Sequence, residues 1–78
     1  MTSLAQLLLD GNDAMTCLKR HERGDWGDVG SRDAEANDYA RDRRMRVLSS
    51  YRDRHGPKFW IVTAADRGET TILLPEEY

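Results

Sequence analysis

The spacing of apolar positions changes from a helical to an alternating pattern near residue 44. At the beginning of the chain, Leu4, Leu7 and Leu8 recur at intervals of three and four residues, which is the spacing of one helix face. Ser3 stands directly before them and predicts a helix cap, and Gly11 predicts the end of this short helix. We therefore expect a first helix whose three leucines form its apolar face.

Two further helices are predicted before the pattern changes. Asp13 is positioned to cap the second, which extends over about residues 14–23, and Ser31 to cap the third, over about residues 32–43. The apolar stripe of the second helix consists of Ala14, Cys17, Leu18 and His21. The inner face of the third helix is weak and consists of Ala34, Tyr39 and Ala40. Such a helix needs support from the rest of the domain.

From Met45 onward, apolar and polar positions alternate, as they do in half-buried strands. The pattern predicts strands over about residues 45–52, 58–64 and 70–74, with turns between them. Two short loops that connect three strands make an antiparallel meander, and helices that precede such a sheet pack on one of its faces.

The predicted fold is α+β, with two or three short N-terminal helices packed on a three-stranded antiparallel β-meander. We expect one domain over residues 1–78, with the helical part at about 3–43 and the meander at about 45–74. The expected core residues are Trp26, Val47, Phe59 or Trp60, Ile61, Ile72 and Leu74.

Length and composition limit what this domain can be. A chain of 78 residues buries only about 60% of its unfolded surface, so its core is small. Cys17 is the only cysteine, which excludes a disulfide framework and favours a reducing compartment. We find no signal peptide and no membrane-spanning run near the N-terminus, so the expected location is the cytoplasm, without membrane contact.

No group of residues predicts catalysis, a metal or a cofactor. Cys17 and His21 share a helix face, but a structural zinc site needs four ligands, so a packed cysteine beside a surface histidine is the favoured interpretation. Ser49, Ser50 and His55 are close in sequence, but no nucleophile elbow or oxyanion loop accompanies them. Strand serines that face solvent or backbone are therefore favoured. We expect a protein that acts by binding, without a cofactor.

Charge is unevenly distributed, although the net charge is only −2. Residues 1–38 carry eight acids and four bases, residues 39–68 carry eight bases and three acids, and residues 69–78 carry three acids and no base. Such asymmetry bears on partners and steering, unless neighbouring segments neutralise one another. The candidate acidic partner-binding residues are Glu22, Asp25, Asp28, Asp33, Glu35 and Asp38. The candidate basic partner-binding residues are Arg43, Arg44, Arg46, Arg52 and Arg54.

Both charged sets have a functional interpretation. Arginines with interleaved aromatic residues bind nucleic acid, but a pI near 5.6 argues against a general DNA-binding domain. Carboxylates held on helix ends and a rigid loop present a row of negative charges, as a duplex backbone does, and such a row fits a basic groove. We therefore expect no direct binding of duplex DNA near physiological salt.

Four segments, in order and with similar gaps, resemble a family of small bacterial and plasmid-borne proteins over roughly residues 20–78. These segments are Gly24-Asp25-Trp26-Gly27-Asp28, Leu48-Ser49-Ser50-Tyr51, residues 60–67 from Trp60 to Arg67, and Thr70-Thr71-Ile72-Leu73-Leu74-Pro75-Glu76-Glu77-Tyr78. Proteins of this type on mobile elements include anti-restriction proteins and anti-CRISPR inhibitors. Some of this family resemble inhibitors of type I CRISPR surveillance complexes, type I-C among them.

The resemblance implies an anti-CRISPR inhibitor in the cytoplasm of a bacterial host cell. Its partner would be the CRISPR effector protein complex, Cascade, whose access to target DNA it would block. The alternative from another class is a small accessory or regulatory protein of a plasmid or phage that binds nucleic acid or an anti-restriction partner. The chain departs from the family pattern in its first twenty residues and in the turn over residues 53–57, so the exact target stays open.

Overall fold

The computed structural model describes residues 1–78 and confirms the predicted α+β fold. Three helices come first and three strands follow, with a short 3-10 turn at the end. The elements are α1 (Ser3–Leu8), α2 (Gly11–Glu22), α3 (Ser31–Asp42), β1 (Val47–Arg52), β2 (Lys58–Thr63), β3 (Thr70–Leu73) and the 3-10 turn (Pro75–Glu77).

The three strands form one antiparallel meander in the order β1-β2-β3. Val47 lies opposite Thr63, and Ser49 lies opposite Ile61, while Ile61 also lies opposite Ile72. Because facing residues in an antiparallel sheet project to the same side, these positions define the helix-facing side of the sheet. The alternate positions define the opposite side, which we call the outer face: Leu48, Ser50, Arg52, Lys58, Trp60, Val62, Thr71 and Leu73.

The core lies between the helices and the helix-facing side of the sheet. The larger cluster joins Ala5 and Leu9 with the α2 stripe and with strand residues of all three strands. A smaller cluster joins Trp26, Ala40 and Val47 at the β1 edge. The predicted core is confirmed, with Phe59 as the buried aromatic residue of β2: Trp26, Val47, Phe59, Ile61, Ile72 and Leu74 are all buried.

The predicted caps of the first three helices are wrong by one to three residues. Thr2, not Ser3, caps α1, and its hydroxyl accepts the Ala5 N–H at 3.1 Å. Asp10, not Asp13, caps α2, so Gly11 opens this helix instead of ending the first one. No side chain caps α3, whose capping position is Gly30. Several polar residues precede each helix, and the tertiary path of the chain decides which of them takes the capping position.

The prediction that the leucines of α1 form its buried face is also wrong. Ala5 is completely buried, whereas Leu4 and Leu8 are about half exposed and Leu7 is 81% exposed. The Thr2 N–H donates to the Ile72 carbonyl, so α1 begins close against β3, where only a small side chain fits under the helix. None of the helices combines the length and apolar character needed to cross a membrane.

No fourth strand pairs with the free edge of β1. The Asn37 side chain and the backbone of the loop over residues 24–28 cover this edge instead. The Asn37 amide accepts the Leu48 N–H and donates to the Leu48 carbonyl at 2.7 Å. The Ser50 N–H donates to the Trp26 carbonyl, and the Ser50 carbonyl accepts the Asp28 N–H. A sheet edge whose polar groups are paired in this way does not offer a template for aggregation. The two hydrogen bonds of Ser50 also hold the loop over residues 24–28 in one position.

Gly27 is the position at which this loop tolerates no side chain. Its φ is +71°, and an added Cβ would meet the Ser50 carbonyl and the Tyr51 ring. We expect Gly27→Ala to lower the free energy of unfolding by about 2 kcal/mol, because it combines left-handed backbone strain with a backbone clash. Gly11→Ala is the matched control, since nothing lies within 4 Å of its added Cβ. Chemical denaturation of both variants measures the difference, and equal stability would contradict the packing of the loop.

Candidate functional site

The molecule has one cavity, of about 320 Å³, between the end of α2 and the start of β1. His21 lies at its buried side, and Arg41 and Arg67 lie at its rim. The lining residues are His21, Glu22, Trp26, Arg41, Val47, Thr63, Arg67 and Thr70.

His21 is the centre of a buried hydrogen-bond chain. Its Nδ1 lies 2.6 Å from Ser49 Oγ and its Nε2 lies 2.7 Å from Thr63 Oγ1. Thr63 Oγ1 is 2.9 Å from Thr70 Oγ1, which extends the chain to the surface. Burial, and to a smaller extent the charges of Arg41 and Arg67, lower the pKa of His21 from 6.5 to about 4. The imidazole is therefore neutral near pH 7, with one nitrogen as donor and the other as acceptor.

This geometry corrects the prediction of a surface histidine, since His21 is 4% exposed. The helical spacing from Ala14 and Cys17 was the signal that placed His21 on the inner stripe. Ser49 was expected to face solvent or backbone. It is completely buried, with its hydroxyl 3.5 Å from the Ile61 backbone carbonyl, as one of these alternatives has it, and 2.6 Å from the imidazole, which was not expected. A nucleophile must reach its substrate. Ser49 is completely buried, so its hydroxyl is not accessible to a substrate, and its contact with His21 joins α2 to β1.

The two arginines at the rim bind the carbonyl ends of helices. Arg41 donates to the carbonyls of Glu22 and Arg23 at the end of α2, at 3.1 and 3.3 Å. Arg67 donates to the carbonyls of Ala40 and Arg41 at the end of α3, at 3.2 and 3.0 Å. Carbonyl groups at a helix C-terminus lack partners within the helix, and a cation there is favourable. The sequence did not indicate this role of Arg67, because the end of α3 approaches the turn after β2 only in the folded chain.

The cysteine has no reactive environment. Cys17 is buried in the larger core cluster, and burial raises the pKa of its thiol. No group of three or more His, Cys, Asp or Glu side chains is arranged to hold a metal ion.

The structure divides the candidate acidic residues into two groups. Asp25 forms an ion pair with Arg20 at 2.8 Å. The hydrogen bond from the Arg20 side chain holds the pKa of the Asp25 carboxyl below its usual value. Asp38 accepts the indole N–H of Trp26 at 2.8 Å. The other four, which we call the free carboxylates, make no side-chain hydrogen bond or ion pair: Glu22, Asp28, Asp33 and Glu35. All four are exposed.

The candidate basic residues do not form one patch. Arg54 is paired with Asp13 at 2.8 Å and lies near Asp10, where it fixes the β1–β2 turn to the start of α2. Arg43 stacks on the Tyr39 ring at 3.8 Å, on α3. The remaining three lie elsewhere: Arg44 follows α3 with a left-handed backbone, Arg46 stacks on Tyr78, and Arg52 projects from the outer face.

Comparison of the chain with known protein families, with curated proteins and with solved structures finds no match. The family resemblance of residues 20–78 therefore stays a prediction. Function has to be argued from the surfaces that the fold presents.

Proposed function

We propose that this protein is an anti-CRISPR inhibitor that binds a type I CRISPR surveillance complex and blocks its access to target DNA. The observation that carries the proposal is the group of exposed acids that no cation of the molecule pairs. The free carboxylates face solvent without a cation. Several arginines, in contrast, are engaged inside the molecule by carboxylates and helix-end carbonyls: Arg20, Arg41, Arg54 and Arg67.

Three of the free carboxylates lie in consecutive segments, and Glu22 lies beside the other end of α3, where Arg41 binds its carbonyl. Asp28 belongs to the loop fixed on the β1 edge, and Asp33 and Glu35 follow in the first turns of α3. Glu22 lies at the end of α2, beside the cavity. Because hydrogen bonds to Ser50 hold the loop in place, Asp28 is presented in a preorganised position, and preorganised groups bind with a smaller entropy cost. A basic groove that normally holds a nucleic-acid backbone is the complementary partner.

The uncovered leucines of α1 support a function in protein binding. Leu7 is 81% exposed, and Leu4 and Leu8 lie beside it at helical spacing. Exposed apolar side chains that cluster on a small domain are typical of protein interaction surfaces. The complete burial of Ser49 keeps its hydroxyl from a substrate, which also favours binding over catalysis.

A charge-reversal experiment tests the proposal. The acidic variant carries Asp28→Lys, Asp33→Lys and Glu35→Lys, and its matched control carries Lys19→Glu, Arg43→Glu and Arg44→Glu. We expect the acidic variant to inhibit target-DNA binding by a purified type I surveillance complex at least tenfold more weakly, which corresponds to about 1.4 kcal/mol. The control is expected to inhibit as the wild type does. A mobility-shift assay with titrated inhibitor measures both.

Asp25 and Asp38 are kept in both variants, because their reversal would break contacts to Arg20 and Trp26 that stabilise the fold. Circular dichroism and thermal melting confirm that each variant is folded. Loss of inhibition in the control alone would contradict the acidic surface and indicate docking through the arginines. Tight, salt-sensitive binding of wild-type protein to bare duplex DNA would contradict the inhibitor and favour a nucleic-acid regulator.

A further inference from the structure

The outer face of the sheet has no helix on it. All helix residues of the two core clusters pack on the helix-facing side or at the β1 edge. The outer face is covered only in part, by the C-terminal 3-10 turn and Tyr78. Trp60 and Val62 remain half-buried, and Tyr78 is 57% exposed.

Aromatic rings and cations follow one another across this face. The Trp60 and Tyr78 rings meet edge to face, with centroids 5.4 Å apart and planes at 76°. The Arg46 guanidinium lies 5.2 Å from the Tyr78 ring centroid. Arg52 on β1 lies opposite Lys58 on β2. Lys58 precedes Trp60 by two residues, so the two side chains are neighbours on the same face of β2. The span from Arg46 to Arg52 is about 20 Å at the usual rise per strand residue.

The three cations form no ion pair, although Glu76 and Glu77 belong to the 3-10 turn that covers part of this face. None of Arg46, Arg52 and Lys58 takes part in the ion pairs of the molecule. Strand positions on the outer face include no carboxylate. Like charges directly opposite each other in an antiparallel pair destabilise the sheet, and the one partner of the Arg52 guanidinium is the neutral Gly56 carbonyl at 3.2 Å, so an anion at this position reduces the repulsion.

We infer that the outer face binds single-stranded nucleic acid. Unpaired bases stack on the Trp60 and Tyr78 rings, and backbone phosphates contact Arg46, Arg52 and Lys58. Aromatic side chains interleaved with cations on a sheet are the combination that such strands recognise without sequence preference. Duplex DNA keeps its bases stacked inside the helix, so it gains only the three charge contacts. An acidic peptide gains the same charge contacts but has no bases to stack.

This inference does not rest on the proposed inhibitor function. The outer face contains none of the free carboxylates, and it is tested with the purified protein and an oligonucleotide in the absence of any CRISPR complex. Failure of one proposal therefore leaves the other unchanged.

The probe is a fluorescein-labelled oligothymidylate of about twelve nucleotides, a length in the range that single-strand binding folds cover. Fluorescence anisotropy at low salt is expected to show binding, and a duplex of equal length is expected to bind at least tenfold more weakly. The dependence of log K on log salt concentration is expected to have a slope of about −2, for three neutralised phosphates.

Two variants locate the site. Tyr78→Ala removes a terminal, exposed ring and is expected to weaken binding at least fivefold. Arg52→Gln with Lys58→Gln is expected to reduce the salt slope by about 1.4, which is the loss of two phosphate contacts. The matched control is Tyr39→Ala with Arg43→Gln, which removes a second stacked arginine–tyrosine pair, on α3. The control is expected to bind as the wild type does.

Three results would overturn the inference. The first is no anisotropy change at low salt. The second is general charge attraction, shown in either of two ways. The α3 control loses as much affinity as the outer-face variants, or the duplex binds as tightly as the single strand. The third is full competition by a polyglutamate peptide of equal charge, which would make the outer face an acidic-peptide site.

Discussion

Replacing Trp26 with alanine is expected to lower the free energy of unfolding by about 3–5 kcal/mol, the range for loss of a buried large aromatic residue. Trp26 is only 5% exposed, although it belongs to a loop flanked by glycines. Its ring packs with Ala40 and Val47 and meets the His21 ring edge to face at 5.6 Å. Since a small domain has only about 5–15 kcal/mol of stability, this one change removes a large part of it.

Trp26 also connects its loop to α3 and to β1. Its indole N–H donates to Asp38 on α3, and its backbone carbonyl accepts the Ser50 N–H from β1. Trp26→Phe keeps most of the buried ring but leaves Asp38 without this donor, so we expect a smaller loss, about 1–2 kcal/mol. Urea denaturation of the wild type and both variants measures the series. A Trp26→Ala variant as stable as the wild type would show that this tryptophan contributes nothing to the core.

The second large effect is a loss of stability in mild acid. The pKa of His21 is about 4 in the folded protein and 6.5 in the unfolded chain, because burial disfavours the imidazolium ion. The unfolded state therefore binds the proton more tightly. The stability that the neutral imidazole contributes is fully present above pH 6.5 and is lost as the pH falls from 6.5 towards 4. We expect the free energy of unfolding to fall by about 2–3 kcal/mol over this interval.

The variant His21→Gln isolates this effect, since glutamine does not titrate and can still donate and accept hydrogen bonds. We expect it to be less stable than the wild type at pH 7 and to show little change between pH 7 and 4.5. The carboxyl groups of Asp13 and Asp25, whose pKa values are lowered by hydrogen bonds from Arg54 and Arg20, lose their contribution only below about pH 4. Equal acid loss in the wild type and the variant would therefore show that His21 is not the titrating group.

Local pattern was sufficient for the architecture of this protein. The change from helical to alternating spacing near Met45 predicts where the helices end and the strands begin, because each spacing suits only one backbone geometry. Phe59, Ile61 and Ile72 are identified as core for the same reason, since they share the apolar side of their strands. The wrong prediction for α1 is informative: a helix of six residues is too short for its own apolar stripe to decide which side is buried.

The charged surfaces required the tertiary structure. Sequence identifies acidic and basic stretches, but it does not show that Arg54 reaches Asp13, 41 residues away, or that Arg67 reaches the end of α3. These contacts decide which charges are neutralised inside the molecule and which stay available to a partner.

For this protein, the sequence by itself determined the order of the elements, the α+β class and most of the core, because these follow from the periodicity of neighbouring residues. Only the tertiary structure decided the hydrogen-bond chain of His21, the exposed leucines of α1, the free carboxylates and the uncovered outer face. Each of these depends on contacts between distant segments, where packing and charge pairing over the whole fold outweigh the preference of any single residue.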